Sequence, residues 1–284
     1  MAGQSSNRRR AAARAPVVAT FVCASALAAA GPVTADDGSD LSAQELADAA
    51  EKELTDTTSL HVTVDNRTDD RDQRAPARLD LRLDEDGNCA GSLVMGTGGA
   101  DGGSVDLVKR GDEVWMKPDT AFWKAQMPGG GGELAAELFA GRYVHGTTDD
   151  PMLDSLADVC DLDSVRDELT DASPGTVQEN LAKGPPTTVR GTDVVPLTGR
   201  EQGKDVTLYV TSDAPHRLVR ATVRDPGETV VLALADYGKP VPDRTPPADE
   251  SVDISKLHDV DPDGTPPQAG PLRAAALAQP PLFG

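Results

Sequence analysis

The chain has 284 residues, with 27 lysines and arginines against 47 aspartates and glutamates, and a formal net charge of −20. This acidic balance argues against a nucleic-acid-binding function, which needs a basic face for the phosphates. It also argues against a general electrostatic attraction to anionic lipid headgroups.

The first 35 residues have the layout of a secretory signal peptide. Arg8–Arg10 and Arg14 form a basic start, residues 15–30 are small and apolar, and Val33-Thr-Ala35 precedes Asp36. Because the apolar stretch is shorter than the roughly 20 residues of a spanning helix, we predict cleavage between Ala35 and Asp36. The paired arginines leave twin-arginine export open as an alternative.

A helix and then a series of strands follow the predicted cleavage site. Ser42-Ala-Gln-Glu45 is a capping box and predicts a helix to about Leu54, with Leu46, Ala50 and Leu54 on one face. Alternating apolar residues, separated by turns rich in Gly, Asp and Asn, then predict hairpin strands. These strands are 60–64, 79–83, 89–95, 105–109 and 113–117.

The pattern becomes helical between Glu133 and Leu181, where leucines and valines recur at helical spacing. Strands resume at 187–190 and 192–197 and continue in three apolar runs, 206–210, 219–223 and 230–235. In the run at 219–223, Val219, Ala221 and Val223 alternate with polar residues. The order of strands, helices and strands is typical of an α+β domain with helices on one face of an antiparallel sheet. We assign residues 36–247 to one such domain.

Prolines and acidic residues dominate the C-terminal segment 248–284, which we predict to be a disordered tail. Residues 252–257 can add a short edge strand to the domain. Asp259-Val-Asp-Pro-Asp-Gly264 matches the first half of a calcium loop, but the twelfth position is Gly270 rather than an acid. We therefore interpret it as part of the acidic tail.

Cys89 and Cys160 are the two cysteines that remain after cleavage. An even pair in an exported protein most often forms a disulfide, which would close a loop of about 70 residues and stabilise the fold by roughly 4 kcal/mol. The alternative is a redox or metal-binding pair, which usually needs closer spacing.

Nothing else in the chain indicates a catalytic, metal or cofactor site. The four histidines, His61, His145, His216 and His258, are scattered without metal-binding spacing, and no G-x-S-x-G elbow is present. The glycine-rich segments 96–103 and 129–132 lack the Gly-Lys-Ser/Thr ending of a phosphate loop and are read as flexible loops. We expect no enzyme, no metal and no cofactor, although a hydrolase is not excluded by sequence.

Several segments together resemble the LolA/LppX-like lipoproteins. They are the strand pair from Thr207 to Asp225 with the strand closing on Asp236-Tyr-Gly-Lys-Pro-Val241, and the segments 111–117, 121–124, 141–144 and 188–197. The match runs from about Leu41 to Pro247. The resemblance implies a curved antiparallel sheet, or half-barrel, with helices packed on its concave face and an acyl-chain ligand between them.

The resemblance and the strand alternation together suggest which residues line the ligand cavity, although a register shift of one residue would move each to the other face. The large apolar residues among them also suit an ordinary core. The candidates are Leu81, Leu93, Val114, Met116, Trp123, Leu138, Leu156, Leu208 and Val219.

The expected function is that of an exported, non-enzymatic carrier of a lipid or lipid-linked ligand in the cell envelope. We expect a membrane-proximal monomer without a transmembrane segment, and an envelope protein as a further partner. Members of the resembled family carry a lipid on a cysteine that follows a small residue, but Cys23 follows Val22. We therefore expect a released protein, with lipid anchoring through Cys23 as the alternative. The alternative function is a sensor or interaction module of the same fold without a cavity.

Overall fold

The structure is a computed structural model that describes residues 40–68, 76–96, 102–127, 130–171, 181–201 and 203–254. The predicted signal peptide with its cleavage site, Cys23 and the tail beyond residue 254 lie outside these ranges. The described helices are α1 Ala43–Asp56, α2 Thr120–Gln126, α3 Gly131–Leu138, α4 Pro151–Ala157 and α5 Leu162–Asp171, with 3-10 turns at Asp158–Cys160 and Ala248–Glu250. The described strands are β1 Ser59–Thr68, β2 Pro76–Asp84, β3 Cys89–Met95, β4 Ser104–Arg110, β5 Glu113–Pro118, β6 Tyr143–Thr147, β7 Ala182–Lys183, β8 Thr187–Val189, β9 Thr192–Glu201, β10 Lys204–Thr211, β11 Leu218–Asp225, β12 Glu228–Ala235 and β13 Ser251–Asp253. No helix within the described ranges combines the length and hydropathy of a membrane span.

All the described strands join one open sheet. From edge to edge the order is β13-β6-β5-β4-β3-β2-β1-β12-β11-β10-β9-β7, and β8 pairs with β9. Neighbouring strands are antiparallel except β13 and β6, which are parallel. β1 lies in the middle and pairs with β2 on one side and with β12 on the other. The first strand of the chain therefore joins the two halves of the sheet.

The core lies between one face of this sheet and the helices. Val62 pairs with Leu81 on one side and Leu234 on the other, and all three side chains are buried. Because successive strand residues point to opposite faces, alternate residues of the neighbouring strands continue this apolar surface. Buried residues of α1, α2, α3 and α4 belong to the same hydrophobic cluster. The predicted α+β fold, one domain with an open antiparallel sheet and helices packed against it, is confirmed.

The helix α1 follows the sequence prediction closely. The backbone N–H of Glu45 donates to the Ser42 hydroxyl at 3.2 Å, and the Ser42 N–H donates to the Glu45 carboxylate at 2.7 Å. This second hydrogen bond holds the pKa of Glu45 below its usual value. Leu46, Ala50 and Leu54 are buried along one side, so the capping box and the apolar face are both confirmed.

The region 133–181 is not wholly helical, which corrects the sequence interpretation. After α3, the chain turns at Gly141, whose φ of 69° is left-handed and suits a residue without a Cβ. Strand β6 then begins at Tyr143, before α4. Aromatic and β-branched residues such as Tyr143 and Val144 favour strands, but their run is too short to stand out beside the helical spacing on either side.

A β-bulge in β11 changes the predicted apolar face of that strand. Arg220 pairs with Tyr209, but the next pair is Val210 with Leu218, so Val219 has no residue opposite it. Leu218 is buried in the core cluster, to which Val219 does not belong. The apolar face of β11 therefore includes Leu218 in place of Val219.

The described chain continues past residue 247, where the sequence interpretation begins the tail. The 3-10 turn at Ala248–Glu250 leads into β13, which pairs with β6, and Ile254 is buried. The predicted edge strand is thus present and begins at Ser251. The remaining residues of the predicted strand, 255–257, lie outside the described ranges.

Candidate functional site

The structure brings most of the predicted cavity residues together in the core. Leu208 is half-buried and packs against this core. Leu138 is 49% exposed on α3, and Val219 lines a cavity on the other face of the sheet. Ligand contact by any of the nine residues stays a prediction. The buried members of the set are Leu81, Leu93, Val114, Met116, Trp123 and Leu156.

Trp123 is placed in the core by α2, a helix that the sequence interpretation does not include. The Asp119 carboxylate accepts from the Phe122 N–H at 2.8 Å and from the N–H and hydroxyl of Ser104, both at 2.9 Å. These bonds cap α2 and attach it to β4. The indole lies 5.7 Å from the Phe139 ring, between centroids. Its buried Nε1 has no hydrogen-bond partner among the described residues, which is uncommon for a buried donor.

The helix α3 presents an apolar pair to the surface. Leu134 and Leu138 are 44% and 49% exposed, and residues four apart lie on the same side of a helix. Ala135 and Ala136, on the other side, are buried. We call Leu134 and Leu138 the α3 leucine pair.

A cavity of about 660 Å³ lies on the sheet face opposite the core. Thr63 pairs with Ala233, and Ala233 pairs with Arg220, so this row crosses three strands beside the buried row of Val62 and Leu234. The volume falls within the usual range of small-molecule sites, about 300–1,000 Å³. The floor residues are His61, Thr63, Asp65, Arg67, Arg78, Arg220, Val231, Ala233 and Ala235.

The hairpin of β8 and β9 forms one wall of the cavity. Val189, Arg190 and Thr192 line it, and Arg190 occupies the turn with a left-handed φ of 49°. The Thr188 hydroxyl donates to the Asp193 carboxylate at 2.9 Å across the hairpin. This bond stabilises the turn that presents Arg190.

The segment after β12 forms a second wall, with Asp236, Tyr237 and Lys239 among the lining residues. The Ser59 hydroxyl donates to the Lys239 carbonyl at 2.7 Å, and the Gly238 N–H donates to the Ser59 carbonyl at 2.9 Å. The wall is therefore attached to the start of β1.

The cavity is basic in an acidic chain. Its lining contains two acidic residues, Asp65 and Asp236, against six lysines and arginines. The chain as a whole has 47 acidic and 27 basic residues. The six basic residues are Arg67, Arg78, Arg190, Arg217, Arg220 and Lys239.

Both carboxylates of the cavity are paired with basic groups. Arg67 and Arg78 each lie 3.2 Å from the Asp65 carboxylate. Although burial alone would raise the pKa of Asp65, the hydrogen bonds and charges of these arginines lower it. Lys239 donates to Asp236 at 2.6 Å, and this bond, together with the charges of Lys239 and Arg82, lowers the pKa of Asp236.

Arg217 is held by two contacts at the edge of the cavity. Its Nε donates to the Glu53 carboxylate of α1 at 3.1 Å, and its guanidinium carbon lies 5.2 Å from the centre of the Tyr237 ring. The Tyr237 hydroxyl donates to the Leu218 carbonyl at 2.6 Å, and burial raises the pKa of Tyr237. Arg217 and Tyr237 thus connect the cavity to α1 and to the bulge.

Arg220 and Arg190 form no ion pair with any carboxylate in the described part of the chain. The Arg220 guanidinium carbon lies 5.9 Å from the centre of the Tyr209 ring. Its Nε is buried and has no hydrogen-bond acceptor within the described ranges. Arg190 is exposed at the hairpin turn. These two arginines carry the unpaired positive charge of the cavity.

His61 lies on the floor between two carboxylates. Its Nε2 is 2.7 Å from Asp80 Oδ1, and its Nδ1 is 3.7 Å from Asp236 Oδ2. The other two described histidines lie elsewhere. His145 stacks on Trp115 with ring centroids 4.6 Å apart, and His216 Nδ1 lies 3.1 Å from the Thr211 carbonyl oxygen. Among the described residues, no three His, Cys, Asp or Glu side chains form a group that could hold a metal ion. The acidic motif at 259–264 lies outside the described ranges.

No protein-family model and no curated protein matches the chain. Solved structures that are similar in fold include LprF from Mycobacterium bovis, at 16% identity over 72% of this chain and 96% of that chain, with a TM-score of 0.49. The lipoprotein LppX of Mycobacterium tuberculosis matches at 14% identity over 72% and 99% of the two chains, with a TM-score of 0.44. A conserved protein from Thermus thermophilus matches at 17% identity over 74% and 98%, with a TM-score of 0.31. These matches assign neither a ligand nor a residue role to this chain.

Proposed function

We propose that the protein is an exported, non-enzymatic carrier or binding protein for an amphiphile that contains an acyl chain, such as a lipid, glycolipid or lipoprotein. The observation that carries this proposal is the described cavity, which has the volume of a ligand site and places an apolar strip of β12 beside polar and charged residues. The signal-peptide pattern of residues 1–35 supports export. Residues 36–247 are the proposed binding domain, acting as a monomer in the cell envelope.

The apolar part of the floor suits a hydrocarbon chain. Val231, Ala233 and Ala235 present alternate positions of one strand to the cavity, and small side chains leave room above them. Burying one methylene contributes about 0.8 kcal/mol, whereas association loses about 4–15 kcal/mol of translational and rotational freedom. About five methylenes therefore offset the smaller of these costs and about nineteen the larger, so affinity should rise with chain length.

The core between sheet and helices is the site that the sequence resemblance suggests for the acyl chain. An oxygen of a ligand held there would give the unpaired Nε1 of Trp123 an acceptor, but we propose the cavity on the opposite sheet face as the ligand site. Substitutions distinguish a ligand in the outer cavity from a ligand in the core between sheet and helices. A bulky side chain in the outer cavity blocks binding only if the ligand occupies that cavity.

The test is native mass spectrometry of the exported protein purified without detergent, followed by extraction and lipid analysis. We expect a stoichiometric adduct of lipid mass that is lost on extraction. Ala233→Trp should abolish uptake of added lipid, whereas Ala90→Trp should not. Ala90 is the matched control because it is half-buried on the same sheet face in β3 and does not line the cavity. If the unsubstituted protein shows only the mass of the polypeptide and takes up no added lipid, the carrier proposal is overturned.

The alternative proposal is a sensor or interaction module, and the α3 leucine pair is the observation that favours it. Two leucines at this exposure form a small apolar patch that a protein partner could cover. Substituting both by serine should then abolish binding of an envelope protein and leave lipid uptake unchanged. Lipid uptake that depends on Ala233, with no partner lost in the serine variant, would decide against the module.

A further inference from the structure

We propose that the cavity recognises the anionic headgroup, a phosphate or carboxylate, of its amphiphilic ligand through Arg190 and Arg220. This inference rests on the proposed function and adds the chemical class of the headgroup. It also locates anion recognition on the sheet face that lies opposite the helices.

The local charge of the cavity opposes the charge of the chain. A net charge of −20 repels anions at long range, and that repulsion is screened beyond about 8–10 Å at physiological salt. Within the cavity, six basic side chains face two carboxylates. An anion that reaches this site therefore meets a positive local field.

The two carboxylates leave Arg190 and Arg220 unneutralised. Asp65 is taken by Arg67 and Arg78, and Asp236 lies within reach of Lys239 and Arg82. Arg217 is bonded to Glu53. Arg220 on β11 and Arg190 at the turn between β8 and β9 are therefore the cavity arginines that no carboxylate of the described residues contacts.

Arg220 is prepared for an anion in two ways. Its buried Nε has no acceptor among the described residues, and a buried charged donor without an acceptor is unfavourable. Its guanidinium lies near the Tyr209 ring, a contact that orients the planar group. A phosphate or carboxylate oxygen would satisfy the Nε, and a second oxygen would allow a bidentate pair.

The apolar part of the floor lies next to this positive charge. Ala233 pairs directly with Arg220, so a ligand whose headgroup contacts Arg220 can place its chain over β12. This arrangement favours binding of an amphiphile over binding of a free anion, because a free anion makes no apolar contact with Val231, Ala233 and Ala235.

The experiment measures binding to the full exported protein by titration calorimetry. The probes are decyl phosphate, decanoate and decanol below their aggregation limits, together with inorganic phosphate. We expect both anionic probes to bind at least about tenfold more tightly than decanol, and inorganic phosphate to bind far more weakly than decyl phosphate.

The variants are Arg220→Gln and Arg190→Gln, with Arg200→Gln as the control of equal charge change. Arg200 is an exposed residue of β9 whose Nε donates to the Asp205 carboxylate of β10, and it does not line the cavity. Arg220→Gln should weaken decyl phosphate binding about ten- to a hundredfold and leave decanol binding unchanged. Arg190 is exposed, so Arg190→Gln tests the site without risk to the fold and should weaken decyl phosphate several-fold.

The outcomes separate this inference from the proposed function. Binding of all three decyl probes with equal affinity, unaffected by either arginine variant, would overturn the anionic headgroup and keep the carrier. Inorganic phosphate binding as tightly as decyl phosphate would identify a free-anion site and overturn the headgroup assignment. Absence of binding by every decyl probe, together with no lipid adduct or lipid uptake in native mass spectrometry, would overturn the carrier proposal itself.

Discussion

Cys160, the last residue of the 3-10 turn after α4, forms a disulfide with Cys89, the first residue of β3, and their Cα atoms are 5.4 Å apart. The bond joins the helical layer to the sheet across 71 residues of chain. Both cysteines are fully buried in the core cluster. The pairing predicted from the sequence is confirmed, and it lies away from the outer cavity.

Replacing both cysteines by serine should lower the free energy of unfolding by about 4 kcal/mol, because the loop no longer restricts the unfolded chain. Denaturant unfolding of the oxidised protein and of the double variant measures the difference. Since neither cysteine lines the cavity, decyl phosphate affinity under native conditions should stay the same. A loss of stability below about 1 kcal/mol would contradict a structural role for the bond.

Leu81 and Leu138, both proposed from sequence as cavity residues, should respond differently to truncation. Leu81 is fully buried and Leu138 is 49% exposed. Leu81→Ala should therefore lose about 2–5 kcal/mol of stability through the cavity it leaves. Leu138→Ala should change stability by less than about 0.5 kcal/mol. Urea unfolding compares the two, and equal losses would contradict the placement of α3.

Asp65 should make the fold less stable in acid. Burial would raise its pKa, but Arg67 and Arg78 outweigh burial and hold the pKa in the folded protein below the ordinary value. Its contribution is therefore complete above the unfolded pKa of about 3.9 and is lost as the pH falls through the lower folded value. Asp65→Asn should lose up to about 1 kcal/mol at neutral pH and less in acid, at about pH 3, which lies below the unfolded pKa. Unfolding at both pH values tests this, and an equal loss at both would contradict the charge effect.

Asp158 should behave in the opposite way. Asp158 is an exposed residue whose carboxyl group is partly buried, and this partial burial, followed by the charges of Asp154 and Asp161, raises its pKa. Ionised Asp158 therefore disfavours the folded state at neutral pH, and stability from this group increases as the pH falls through the raised value. Asp158→Asn should raise stability at neutral pH by less than about 0.5 kcal/mol, since the residue is exposed. The gain should vanish near about pH 3, and a variant less stable at neutral pH would contradict the repulsion.

Local patterns were sufficient to predict much of the fold. The helix after Ser42 depends on one hydrogen-bonded capping box and on leucine and alanine spacing within the same segment. The strands near Leu81 and Leu208 follow from alternation and from the turns beside them. Such signals need only neighbouring residues, so they survive without knowledge of the tertiary contacts.

The errors occur where distant contacts decide the structure. Strand β6 is short, and its pairing with β13 joins Tyr143 to Ser251, which is distant in the chain. The bulge at Val219 depends on the register between β10 and β11, which no alternation pattern reveals. The helix α2 is held by the bonds of Asp119 to Ser104 in β4.

The sequence by itself determined the fold class, the capped first helix, the cysteine pair and the overall acidic charge. Only the tertiary structure decided that Arg190 and Arg220 line one cavity with His61 and Ala233. These residues meet because β1 pairs with β12, far along the chain, and because the β8–β9 hairpin forms a wall beside them. Net charge is a sum over the whole chain, whereas a binding site depends on which charges the strand pairing brings together and which of them find a partner.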